Sequence, residues 1–381
     1  LKKRGFQKLS STRKKADRKQ ILKALRDRVS CQDLSYFEDW MNALNPVSYF
    51  KQVVSIWTTN LLDLPPLWSL YIARFLNLIC AIFIIYLALR IAPVGKNIIA
   101  IFSVLPLPVS IFASMSHDAT LIPLSFLYFA LILKASLSKS RFNAKELLVL
   151  SLTVFAFFFV KGVYLPLALA FLAIPVTRFG NDKRRIGFFI SFFAIALIAA
   201  LISSWMWNAT GGFGKTYGAN PGAQLEYLIN NPFDGAKVLI RTLNRYCIEY
   251  IFQIIGVVGY LDTRFHTRIY IAFIILVFFF LKPYPGNEEV ALTNRMRIIF
   301  LVSAILTTVV ELFSMYLTNN TVGKEVIDGP QGRIFYPCLP FLFIGFYGIN
   351  IRKNKRIAIF LAGLVILIIL AQREIIKRFW G

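Results

Sequence analysis

The chain has 381 residues, 57% of them hydrophobic and 16% charged, and a net charge of +24 from 43 Lys+Arg against 19 Asp+Glu. Soluble domains are about 45–50% apolar and about 25% charged, so the composition excludes an ordinary soluble domain and predicts an all-α, polytopic integral membrane protein. In a soluble protein the basic excess would point to nucleic acid; here it predicts loops that face the cytoplasm and meet anionic lipid headgroups, with no nucleic acid partner.

Residues 1–67 form a basic N-terminal segment followed by an outer loop. Residues 1–30 hold twelve Lys/Arg and two Asp, and 31–67 carry turn punctuation in NALNPVSYF and DLPPLW. Residues 68–381 read as a multi-helix transmembrane domain. Apolar runs that cross or nearly cross a bilayer lie at about 69–89, 97–116, 119–134, 186–204, 267–281, 297–317, 333–350 and 357–371. A further run, 146–176, breaks at Lys161-Gly162 and reads as two short helices or a re-entrant hairpin. Counted as two, it brings the total to about ten crossings.

Loops with Arg90/Lys96, Lys134 to Lys145, Arg178 to Arg185, Lys282 to Arg297 and Arg352 to Arg356 alternate onto one side, the expected cytoplasm. The other face receives SMSHDAT (114–120), VKGVYLP (160–166), the long outer loop 205–266 and NNTVGKEVIDGPQGR (319–333). Residues 1–30 and the tail QREIIKRFW also fall on that outer side although both are basic. A helix upstream of Leu1 would account for the first, and nothing in the pattern accounts for the second.

Charge within a span costs about 2.5–3.5 kcal/mol on insertion scales and usually faces a cavity or a partner. The polar intruders are therefore the informative residues. His117 and Asp118 sit at a hairpin tip between two apolar runs, where Asp118 is expected to cap the helix that begins at Ala119, with or without a chemical role. Lys161 either snorkels to the interface or lies beside a backbone cavity opened by Gly162 and Pro166, a setting that suits a phosphate. Arg333 follows the turn Asp328-Gly329-Pro330-Gln331-Gly332, and its guanidinium fork matches phosphate or carboxylate. Arg74 and Asn77 share a face of the first span and are expected to bond across helices; Glu311 needs a partner, with Arg74 the candidate. GGFGKT (211–216) lacks the first glycine of a P-loop, since Ala209 stands there. Two distant histidines and four scattered cysteines give neither a metal site nor a disulfide framework, and no cofactor is assigned.

Five stretches in order, ARFLNLICAIFIIYLALRIAP (73–93), LPLPVSIFASMSHDATLIPLSFLYFALIL (105–133), VKGVYLPLALAFLAIP (160–175), IGVVGYLDT (255–263) and IDGPQGRIFYPCLPFLF (327–343), resemble a family of bacterial polytopic "predicted membrane proteins" of unknown function related to GT-C-type glycosyltransferases. In that family a small-residue–Asp turn joins two spans, a Lys-x-x-Tyr-x-Pro element (here Lys161, Tyr164, Pro166) breaks a later one, and a Gly-x-Gln-Gly-Arg-Tyr-x-x-Pro element opens a late span. The last reads here with Tyr336 displaced. The resemblance implies a GT-C-like fold in the bacterial plasma membrane. It also implies transfer of a sugar from a polyprenyl-phosphate carrier to a cell-surface glycan acceptor in cell-envelope polysaccharide assembly. On that reading Lys161, Tyr164, Gln331 and Arg333 bind substrate and cradle the phosphate. Asp118 is the base, with His117 orienting it, and Asp262 and Asp328 bind sugar hydroxyls. GT-C enzymes typically carry a catalytic acid in the first outer loop after an initial span. This chain shows no span before 69, and Glu38 and Asp39 do not replace that acid. Either the helix and its acid lie upstream of Leu1 or the analogy of mechanism fails. The alternatives are a transporter or flippase of a lipid-linked saccharide and a non-catalytic subunit of a polysaccharide assembly complex.

Overall fold

The computed structural model describes residues 17–27, 45–209, 219–259, 261, 263–280, 292–345 and 357–380. These are helical almost throughout, with one isolated β-bridge between Val258 and Thr263, so the protein is all-α. A short helix α1 (Arg18–Ala24) precedes α2 (Pro46–Leu61), α3 (Leu67–Ile91), α4 (Lys96–Val104), α5 (Pro106–Phe112), α6 (Asp118–Leu137) and α7 (Ala144–Val160). A 3-10 helix runs Gly162–Ala173. Then come α8 (Asp182–Ala209), α9 (Pro221–Asn230), α10 (Pro232–Gly256), α11 (Thr267–Phe280), α12 (Asn294–Asn319), a 3-10 turn at Gly332–Phe335, α13 (Leu339–Gly345) and α14 (Ile357–Trp380).

Among the described residues four helices are long and apolar enough to cross a membrane: α3, α6, α8 and α12. The apolar run 97–116 is not one helix, because Leu105 takes an extended conformation before Pro106 and splits it into α4 and α5. The run 146–176 is a helix followed by 3-10 structure. Lys161 is extended (φ −154°, ψ 99°) and ends α7, and the next twelve residues are 3-10, far longer than the usual three or four. Pro166 has no N–H to donate there, and Gly162 is required by contact: a Cβ at 162 would fall 2.8 Å from the Ala200 Cα of α8. The long loop 205–266 is largely the helix pair α9–α10.

Helix α6 is the axis of the bundle and most of it is buried. Tyr128 at its middle stacks on Phe157, meets Phe158, Phe192 and Phe341, and donates to the Leu167 carbonyl at 2.9 Å. Between helices in lipid, such packing and hydrogen bonding replace the hydrophobic drive.

The two ends of the bundle differ. At one end the basic segments 138–143 and 174–181 meet. Arg178, 2% exposed, lies over the Phe142 ring and pairs with Glu146 at 2.9 Å, while the Phe142 N–H donates to the Arg178 carbonyl. Gly95 packs near Leu133 and Ile344 at that end. At the other end lie the 113–118 turn, Lys161 and the 320–333 segment. Side chains of α9 and α10 staple that segment: Gln224 accepts from Gly323 N–H at 3.1 Å, Thr242 from Ile327 N–H at 2.9 Å and Gln253 from Gly332 N–H at 2.7 Å.

Helix α2 is inverted in polarity. Ser48, Lys51, Gln52, Ser55 and Thr59, spaced for one helical face, are buried, while Phe50, Val53, Ile56, Trp57 and Leu61 point outward. Asn45 caps it, accepting from Val47 and Ser48 N–H, and its amide donates to the Phe159 carbonyl near the end of α7.

Candidate functional site

The site begins with the turn before α6. Arg74 Nε donates to the Ala113 carbonyl and Asn77 Nδ2 to the Ser114 carbonyl, each at 2.7 Å, so α3 clamps the end of the preceding apolar run. Within the turn, Ser114 Oγ accepts from Ser116 N–H and Ser116 Oγ accepts from Asp118 N–H, both at 3.2 Å. These bonds place Asp118 in the first turn of α6.

Asp118 is not the helix cap. The N-cap position is His117, in helical conformation and without a side-chain cap bond. The Asp118 carboxylate turns away from the backbone. Its Oδ1 lies 3.3 Å from His117 Nε2, and its Oδ2 lies 3.2 Å from Ser116 Oγ and 3.4 Å from Arg333 Nε. A capping aspartate would point at the N–H groups of the first turn; here the guanidinium and imidazole hold the carboxylate instead.

Lys161 pairs with Glu311 of α12, not Arg74, which is committed to the Ala113 carbonyl. The Lys161 ammonium also stands 5.2 Å from the centre of the Tyr164 ring. Tyr164 is fully buried and donates to the Ile334 carbonyl at 2.8 Å. The residue that packs on Lys161 is thus tied to the residue after Arg333, which fixes the two cations relative to each other. Gly332 seats Arg333: a Cβ at 332 would lie 2.5–2.7 Å from Gln253 and the Ile254 nitrogen of α10.

The result is two buried carboxylates under two partly exposed cations. Side-chain exposure is 7% for Asp118 and 3% for Glu311, against 41% for Arg333 and 29% for Lys161. Arg333 meets Asp118 through Nε, so its terminal amino groups have no partner among the described residues. His117 is the exposed member of its pair, at 37%. Desolvation by the protein packed around the ring, helped by the nearby Lys161 and Arg333 cations, pushes its imidazole below the ordinary histidine value, against the opposing pull of Asp118.

Of the residues expected from the sequence, His117, Asp118, Arg333, Lys161 and Tyr164 form this linked group. Gln331 is half-buried two residues before Arg333, and its side chain makes no hydrogen bond among the described residues. Asp328 stands apart from the cluster: it pairs with Lys324 at 2.5 Å and accepts from Tyr246 OH at 3.1 Å. Asp262 lies outside the described residues, as do Glu38 and Asp39. Sequence reasoning assigned no role to Ser116 and did not pair Glu311 with Lys161; only the break at Lys161-Gly162 hinted at the latter. No group of three His, Cys, Asp or Glu among the described residues is placed to hold a metal.

The sequence model of one family, described as "Predicted membrane protein (DUF2142)", matches residues 3–342, so the chain belongs to that family and is a membrane protein. No curated protein and no solved structure matches it.

Proposed function

We propose that this member of the DUF2142 predicted membrane protein family is a GT-C-like glycosyltransferase of the bacterial plasma membrane, with about ten crossings. On this reading it moves a sugar from a polyprenyl-phosphate carrier to a cell-surface glycan acceptor during envelope polysaccharide assembly. The observation that supports the reading is the charge layering at the hairpin-tip end. Two cations rest on buried carboxylates with their outer sides reachable, and the free fork of Arg333 matches a phosphate oxygen pair. The leaving group in such a transfer is a phosphate, and fixed cations aimed at it stabilise the charge that develops as the bond to the sugar breaks.

In the transfer, the acceptor oxygen bonds to the anomeric carbon, the bond from that carbon to the phosphate oxygen breaks, and the acceptor proton goes to a base. Both oxygens of Asp118 are engaged, and the carboxylate is buried. His117 is partly exposed, with Nε2 toward Asp118 and no partner for Nδ1 among the described residues. We therefore assign the base to His117 and its orientation to Asp118, reversing the order of roles expected from the sequence.

The test is release of polyprenyl phosphate from a polyprenyl-phosphate sugar by the full chain in proteoliposomes. Arg333→Gln and Lys161→Met are each expected to lower release more than tenfold while leaving membrane insertion intact. Translocation of intact donor across the bilayer without release would replace this reading with a flippase. Release unaffected by both substitutions would remove the cations from the chemistry.

A further inference from the structure

A cavity of about 280 Å³ lies between α10 and the 327–330 loop, beside the charged cluster but separate from it. Its wall on α10 is Tyr246, Glu249, Tyr250 and Gln253, one face at helical spacing, and Asp328 and Pro330 close it from the loop. Tyr246 and Tyr250 stand 6.0 Å apart, and Phe335 packs on Tyr250 at 5.2 Å. Tyr250 is 6% exposed and its hydroxyl has no hydrogen-bond partner among the described residues. An unpaired buried hydroxyl costs about 1–3 kcal/mol, so this one calls for a partner from water or from a bound molecule in the cavity it borders.

The chemistry of the wall narrows what that molecule is. The two carboxylates carry basic partners already: Asp328 has Lys324 at 2.5 Å, and Glu249 has Arg264 at 2.9 Å. The cavity therefore offers hydrogen-bonding oxygens without a net negative charge, which disfavours a free cation. Aromatic rings beside paired carboxylates and an amide suit a ring with C–H faces and hydroxyl edges. The volume is at the small end for ligand sites and fits one such ring, not an oligosaccharide.

We propose that this cavity binds a single neutral pyranose, with the Tyr246 ring against its face, the Tyr250 hydroxyl bonded to one of its oxygens, and Asp328 and Glu249 accepting from its hydroxyls. The position relates it to the cluster. Gln253, on the cavity wall, accepts from Gly332 N–H, and Arg333 is the next residue. A sugar here would lie one residue along the chain from the guanidinium that holds its phosphate. That last relation rests on the transferase reading; binding of the sugar does not.

The experiment is saturation-transfer NMR on the full chain in nanodiscs, with methyl glycosides of glucose, galactose, mannose and N-acetylglucosamine as probes and tetramethylammonium as the cationic control. At least one glycoside is expected to receive saturation. Tyr250→Phe removes only the hydroxyl and should weaken that binding roughly tenfold, the loss for one buried hydrogen bond, without lowering the thermal midpoint of the ligand-free protein. Tyr246→Leu should weaken it further. Three results would overturn the proposal: no glycoside binds, tetramethylammonium binds in their place, or both variants bind as the wild type does. The wild-type chain separates the two readings: glycoside binding in a protein that never releases polyprenyl phosphate keeps the sugar site and discards the transferase.

Discussion

Arg333 reaches Asp118 at 3.4 Å, linking the turn that opens α6 to a 3-10 turn near the other end of the chain. The carboxylate is buried, and the guanidinium is partly exposed, so solvent screens the pair and its worth to stability is about 1 kcal/mol or less. Its geometric role is larger, because it aims the fork. Asp118→Asn keeps the shape and an acceptor for Ser116 but removes the charge under both Arg333 and His117. The expected result is normal insertion and thermal midpoint with sugar transfer down more than tenfold. Asp118→Ala should lose transfer equally and also lower the midpoint. Near-normal transfer by Asp118→Asn would reduce the carboxylate to a structural role.

The assignment of the base is separable by pH. Burial holds His117 below its ordinary value of 6.5. Below its own pKa the imidazole is protonated and cannot accept a proton, so transfer should fall on an acid limb displaced below the ordinary histidine value. His117→Gln should abolish that limb together with most of the rate. A wild-type profile flat down to carboxylate pH, measured as initial rates of polyprenyl phosphate release, would return the role to Asp118.

What the sequence made legible was the set of expensive residues. His117, Asp118, Lys161 and Arg333 stand out because charge beside apolar runs needs a reason, and the turn residues around them mark where helices break. Their pairing was not legible. Glu311 is closer in chemistry to Arg74 than to any visible partner, and only folding shows that Arg74 is spent on a carbonyl. Helix α2 went unread for a different reason. Its polar residues at 48, 51, 52, 55 and 59 keep helical period, but with polar inside, so it scans as a mixed surface segment. The cavity between α10 and the 327–330 loop is not legible because 205–266 reads as a loop, and its wall emerges only from helical spacing along Tyr246 to Gln253.

The clustering of basic loops at one end gives a sidedness that can be measured. Ser140 lies in that end, where its carbonyl and hydroxyl meet Arg178, and Asp182 opens α8 beside it. Asn220 caps α9 and Asn319 ends α12 at the opposite end. Single cysteines at 140 and 182, in a background without native cysteines, should label only from the cytoplasmic side, and those at 220 and 319 only from outside. Labelling of position 140 on intact cells would invert the protein.

Gly332 sets how closely Arg333 approaches α10. An added Cβ would meet backbone atoms of Gln253 and Ile254 at under 3 Å, and backbone cannot rotate away. Gly332→Ala should therefore shift the 3-10 turn, cost about 1–3 kcal/mol and lower transfer well beyond the loss in folded protein. Gly187→Ala is the control, since a Cβ there meets nothing within 4 Å, and it should change neither the midpoint nor the rate. An equal response of the two variants would show that the close approach has no bearing on the site.

Lys51 offers the sharpest stability test. It is 3% exposed, its ammonium donates to Thr120 Oγ1 at 2.5 Å, and it has no carboxylate partner among the described residues. It lies on α2, outside the four spanning helices, and burial pushes its amine from 10.5 down to about 8. The charged form is thus penalised in the folded state. Between about pH 8 and 10.5 the unfolded chain still holds this proton while the folded chain has released it, so stability rises with pH across that window. Below it, the penalty is complete and amounts to roughly 3 kcal/mol by the size of the shift. Lys51→Met fills the same volume without the charge. It leaves Thr120 Oγ1 without its donor, which takes back part of the gain. The expected net effect at pH 7 is a stabilisation of about 1–2 kcal/mol, read as a higher thermal midpoint in detergent, together with loss of the rise between pH 8 and 10.5. A midpoint that falls on substitution would mean the ammonium is held by an anion from outside the chain, and α2 would then be a lipid-binding element, not a strained one.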